Sequence, residues 1–76
     1  MPGLTEQDLN NIFTYHPPEG DQTARYEQIR GAALTFAKEI LVNTPACADQ
    51  TVAIRKVREA VMIANAAIAI TESERK

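Results

Sequence analysis

Between Ala60 and Ile70 the chain reads AVMIANAAIAI, so a helix built from this run is apolar on every face except at Asn65. A helix of that kind has to be covered on every side. The run is far short of the ~20 residues that span a membrane, so lipid does not supply the cover. The chain has 76 residues, and a domain of that size buries a smaller fraction of its surface than a larger one does. Disulfides, a metal or self-association usually make up the shortfall. Cys47 is the only cysteine, which excludes an internal disulfide. His16 is the only histidine and lies far from Cys47 in sequence, so no metal-ligand spacing is present. Self-association remains, and a homo-oligomeric helical bundle is the expected state. Asn65 has two readings: a buried amide that sets register and oligomer number at a cost in stability, or a locally satisfied hydrogen bond.

The pattern predicts a single all-α domain over residues 1–76: a short N-terminal helix followed by an antiparallel hairpin of two long helices. The first helix covers about 5–14. Thr5 is its N-cap, Asp8 sits in the capping-box position, and Leu4 and Leu9 flank it as a hydrophobic staple. Glu6 and Asp8 in the first turn complement the helix dipole, while Leu9, Ile12 and Phe13 make an apolar stripe. Pro17 and Pro18 end it, because proline disfavours helical geometry in the residue before it. The resulting elbow spans 15–20.

The second helix covers about 21–43, with Asp21 as N-cap. Tyr26, Ile29, Ala33, Phe36 and Ile40 recur three and four residues apart, a coiled-coil-like seam. Leu34, Ala37 and Leu41 widen it, and Gly31 and Ala32 permit close approach. Asn43-Thr44-Pro45 stops the helix. In the third, over about 49–71, Ala53, Val57, Ala60, Ala64 and Ala67 form a second seam, with Ile54, Val61 and Ile68 beside it every seven residues. Each long helix measures about 30 Å at ~1.5 Å per residue. Residues 72–76 read as a polar tail that frays.

Charge narrows the partners. The net charge is −2 and the isoelectric point about 5.2. A domain that grips DNA or RNA through its backbone carries a basic excess, because phosphate neutralisation dominates affinity; no nucleic-acid polymer is expected here. The opening residues MPGLTE lack a basic start and an apolar run, which points away from secretion. With 45% hydrophobic residues the chain is not of disordered composition. A soluble cytoplasmic protein with no membrane partner is the expectation.

No catalytic constellation, cofactor motif or metal cluster is legible, and an enzyme is not expected. Cys47 reads as a small residue in the hairpin turn rather than a reactive thiol, Met62 as packing, and Arg55, Lys56 and Arg58 as a solvated basic face. The elbow carries more. Phe13, Tyr15 and His16 are three of the five Phe, Tyr and His residues, set beside Pro17 and Pro18. Flat rings with little rotamer entropy suit stacking on a nucleobase. The N-terminus of the second helix is a weak anion site, with Arg25 on its first turn and Arg30 one turn after Tyr26. An arginine beside such an elbow can hold a phosphate while a ring stacks on a base. The plainer reading makes Phe13 and Tyr15 hydrophobic clamps and puts Arg30 in a surface ion pair.

Tyr15-His16-Pro17 after an aromatic, Ile29-Arg30-x-Ala32-Ala33 with Phe36-Ala37, and Ala64-Asn65-Ala66-Ala67-Ile68-Ala69 near the end together resemble the phage anti-CBASS cyclic-nucleotide sponge family. Its helical-hairpin domain is shared with a sponge that counters the Thoeris defence. The resemblance implies a non-enzymatic, all-helical protein that assembles as a hexamer in the host cytoplasm and binds cyclic dinucleotides between two protomers. It implies that Tyr15 stacks on a base and that Arg30, at a position often held by lysine, contacts phosphate. His16 and Pro17 would shape the pocket wall. Members that also take cyclic trinucleotides commonly carry arginine after Ala-Ile-Ala, whereas Ile70 follows here. The short chain fits the cyclic-nucleotide branch rather than the ADP-ribose branch. The alternative function is an oligomeric helical-hairpin interaction module with no small-molecule ligand.

Overall fold

The computed structural model describes residues 3–74. Met1 and Pro2 of the opening segment, and Arg75 and Lys76 of the polar tail, lie outside the described residues. The described chain is all-helical. Helix α1 is Glu6–Ile12, α2 is Gln22–Asn43 and α3 is Ala48–Ala66; a π-helical turn, Ala67–Thr71, leads into the short α4, Glu72–Glu74.

Helix α1 starts on a complete capping box. The Asp8 N–H donates to Thr5 Oγ1 at 3.1 Å and the Thr5 N–H donates to Asp8 Oδ2 at 2.9 Å. Two of the helix's orphan donors are thereby satisfied. The elbow closes at Glu19–Gln22, where the Gln22 N–H donates to the Glu19 carbonyl at 3.0 Å. Gly20 makes this possible with φ of 55°, a left-handed conformation that costs other residues ~1–2 kcal/mol. No atom lies within 4 Å of where a Cβ would stand, so Gly20→Ala is expected to destabilise the chain by about 1 kcal/mol through backbone strain alone. A lowered urea midpoint with unchanged helicity is the readout.

Helices α2 and α3 form the hairpin. Gln50 fastens their connection, with Nε2 3.2 Å from the Leu41 carbonyl and 3.1 Å from the Thr44 carbonyl. The half-buried positions on α2 are Arg25, Tyr26, Ile29, Ala33, Ala37 and Ile40; on α3 they include Ile54, Val57, Val61 and Ala64. Phe36 (58% exposed) lies outside this inner seam, as do Ala60 and Ala67. Phe36 and Ala60 fall on a second apolar face. Phe36, Ile29 and Ile40 from α2 and Val57 and Ala60 from α3 line an open groove of about 790 Å³ along one side of the hairpin. A pair of helices can bury one stripe of each, and these two helices carry more than one.

No apolar residue among those described is buried. The accessible surface is 6125 Å², against about 4,600 Å² for a compact chain of this mass. The radius of gyration is 15.8 Å, against about 11 Å for a compact fold of this length. Met62 and Ile63, in the middle of the apolar run, are 61% and 63% exposed.

The C-terminal end differs from a fraying tail. Arg25 grips the Glu72 carboxylate as a fork, Nη1 to Oε2 at 2.7 Å and Nη2 to Oε1 at 2.6 Å, and Gln22 Nε2 donates to the same Oε1 at 2.9 Å. Ser73 Oγ lies 3.1 Å from Asn11 Oδ1 and 2.7 Å from the Ile70 carbonyl. Charge-assisted and bidentate bonds of this kind are the strong ones. They order Glu72 and Ser73 against α1 and the start of α2. The third helix also departs from one continuous α-helix to about Thr71, since its last part widens to π geometry at Ala67.

Candidate functional site

The elbow and the hairpin's open end meet around Ala69. On the elbow side, His16 and Pro17 line a small pocket of about 50 Å³ with Glu19, Gln22, Ala69 and Ser73. On the hairpin side, Tyr26, Arg30, Met62, Asn65, Ala66 and Ala69 line an open groove of about 570 Å³. Ala69 belongs to both, so the pocket and the groove adjoin.

Polar side chains fix the elbow. His16 Nε2–H donates to the Asn11 carbonyl at 2.7 Å, which sets the tautomer. Asn11 Nδ2 in turn donates to the Ile70 carbonyl at 3.2 Å, on the π turn. His16 is thus engaged with backbone at one ring nitrogen while its ring lines the pocket. Tyr15, the residue before it, stands out from the surface at 81% exposure, beside Phe13 at 83%. Neither ring clamps α1 within the chain. Tyr15 belongs to neither the His16 pocket nor the Arg30 groove.

The two arginines separate cleanly. Arg25 is committed to Glu72 and also to Asp21, whose Oδ1 lies 3.1 Å from its Nε. Its hydrogen bond to Glu72 raises the guanidinium pKa above its ordinary value, outweighing partial desolvation. Asp21 spends its carboxylate there and makes no side-chain cap bond to α2. The anion at the start of α2 is therefore the chain's own Glu72. Arg30, one turn after Tyr26, is exposed and has no ion pair among the described residues. It is a free cation on the wall of the groove, not half of a surface pair.

Asn65 is another polar group of that groove. Its Oδ1 is covered by protein and has no hydrogen-bond partner among the described residues, so the locally satisfied reading does not hold. Asn11, Gln22, Glu72 and Ser73 organise this end of the molecule without a sequence signal to mark them.

Among the described residues no group of three or more His, Cys, Asp or Glu could hold a metal ion, and no helix is long and apolar enough to cross a membrane. Cys47 is exposed and free at the N-cap of α3.

Comparison with protein families matches a family model described as Acb2/Tad1, hairpin domain, over residues 5–69. Comparison with curated proteins returned no match, and neither did comparison with solved structures.

Proposed function

This chain belongs to the Acb2/Tad1 hairpin-domain family, and we propose that it is a non-enzymatic sponge that holds cyclic oligonucleotide immune signals, chiefly cyclic dinucleotides. In this reading it blocks CBASS-type antiphage defence from the host cytoplasm by withholding the signal from its effector. The observation that carries it is the pairing of an exposed, uncommitted ring at Tyr15 with an exposed, unpaired cation at Arg30. Neither is used within the described chain.

Tyr15 lies outside the groove that Arg30 lines within one protomer, and in this reading a second copy completes the site. A cyclic dinucleotide has two bases and two phosphates. A two-fold contact presents the same patch from each protomer, so each supplies one Tyr15 and one Arg30 to half of the ligand. Base–ring stacking contributes ~1–3 kcal/mol per base, and a hydrogen bond to a charged phosphate ~1.5–3 kcal/mol, before association costs are subtracted. His16 and Pro17 form the wall. Self-association, as a homohexamer in the family's manner, covers the apolar groove and the exposed run around Met62 and Ile63. Ile70 leaves a separate trinucleotide pocket without its usual arginine.

Incubation of the purified protein with a panel of cyclic di- and trinucleotides, followed by filtration and chromatography of the free pool, tests this. Depletion of cyclic dinucleotides is expected, with intact ligand recovered after denaturation. Recovery of linear product would make the protein an enzyme, and no depletion would remove the sponge reading. The apolar groove at Phe36 favours one second reading, a hairpin that docks a partner protein. Under that reading Tyr15→Ala and Arg30→Ala are silent.

A further inference from the structure

We infer that Arg58 is a second phosphate ligand: its guanidinium and that of Arg30 hold the same phosphodiester of a cyclic dinucleotide. The inference rests on the sponge assignment and adds a contact to that site.

The basic run on α3 reads in sequence as one solvated face, but the fold divides it. Lys56 Nζ lies 3.4 Å from Glu59 Oε2, and Lys56 lines the apolar groove of Phe36. Arg55 is exposed and lies outside the groove that Arg58 lines. Arg58 shares that groove, of about 310 Å³, with Arg30. Both arginines are exposed, and neither has an ion pair among the described residues. The rest of the lining is apolar, with Leu34 and Ala37 from α2 and Ile54 and Met62 from α3. No carboxylate lines it; Glu59 is engaged with Lys56, and Asp21 and Glu72 with Arg25.

Two like charges on one groove repel each other and focus a positive field on the space between them, although the chain as a whole carries a net charge of −2. An anion there relieves the repulsion. It also meets charge-assisted donors against apolar walls, where such contacts are stronger than in open water. The planar fork of a guanidinium matches phosphate, and a phosphodiester has two unesterified oxygens, one for each arginine. The groove's only polar groups are these two cations, so it holds a phosphate rather than a base edge. Arg30 also lines the groove of Tyr26 and Ala69, which leads to the elbow. It thus stands where two grooves meet: the base lies toward the elbow, and Arg58 closes on the phosphate from the other side. The same arginine facing a carboxylate of another copy would instead act on assembly.

Retention isotherms for cyclic di-adenylate, cyclic di-guanylate and the mixed adenylate–guanylate decide it. Arg58→Ala is expected to weaken each dinucleotide that wild type retains by about tenfold or more. The factor is expected to be the same for all of them, because a phosphate contact carries no base information. Arg55→Ala removes the same charge from outside the groove and is expected to bind as wild type does. Arg58→Lys keeps the charge without the fork and is expected to fall between wild type and Arg58→Ala. The assembly is expected to keep its mass in light scattering throughout. Wild-type retention by Arg58→Ala overturns the inference, as do equal losses in Arg55→Ala, which would reflect overall charge. A changed assembly mass overturns it too, by placing Arg58 between copies. Should Arg58→Ala fail to fold, wild-type retention by Arg58→Lys overturns the forked contact. Retention of none of the three by wild type is a different result: it removes the sponge assignment, and this inference with it.

Discussion

Tyr15→Ala is expected to weaken retention of cyclic dinucleotides by about a hundredfold or more while leaving the mass of the assembly and its thermal midpoint unchanged. The size follows from symmetry. In the proposed two-fold site one substitution removes both stacking rings, and each stacked base is worth ~1–3 kcal/mol. The selectivity follows from placement. Tyr15 is 81% exposed and makes no hydrogen bond among the described residues, so the isolated chain loses nothing when the ring goes. Tyr15→Phe keeps the ring and is expected to retain most of the binding. Equilibrium retention and light scattering on the three proteins are the measurements. Equal retention by Tyr15→Ala and wild type would mean that the elbow does not meet the ligand.

Phe36→Asp is expected to do the converse. Phe36 stands 58% exposed on the single chain, in the apolar groove with Ile29 and Ala60, so the hairpin itself tolerates the change. If another copy covers that groove, each protomer must then bury an unpaired carboxylate at several kcal/mol, and the cost recurs at every equivalent contact. Light scattering is expected to show the mass falling toward the 8.4 kDa of one chain. With 6125 Å² of accessible surface and no buried apolar residue among those described, the freed chain is expected to lose helicity as well. Ligand retention is expected to disappear with the assembly, because the proposed site needs two copies. The pair of variants thus separates contact from scaffold: one loses ligand with assembly intact, the other loses both.

Much of the fold is legible in the order of residues. The capping box at Thr5 and Asp8, the break at Asn43-Thr44-Pro45 and the three-four spacing of apolar residues lead directly to a short helix and a hairpin. Spacing alone does not resolve which flank of each seam turns inward. On α2 the residues Ala33, Leu34, Phe36, Ala37 and Ile40 are apolar on several faces, and the choice of Ala37 over Phe36 for the inner side depends on how α3 packs. The π turn leaves no mark either, since Ala67-Ile68-Ala69-Ile70 satisfies α and π spacing equally well.

The polar anchors are hidden from sequence for a different reason. Arg25 and Glu72 are 47 residues apart, and Asn11 and Ser73 are 62 apart. Only the tertiary fold brings them together. Arg25 and Arg30 look alike in sequence, and it is Glu72 that makes one structural and leaves the other free. Asn65 is marked by its apolar surroundings, but its missing partner is a fact of packing.

Titration of cyclic dinucleotide into the purified assembly, followed by native mass spectrometry and then by denaturation to release the ligand, bears most directly on a site shared between copies. The expected ratio is one intact dinucleotide for every two chains, at saturation and in a particle larger than one chain. One dinucleotide on each single chain, a linear product, or an assembly that stays empty at saturating ligand would contradict it.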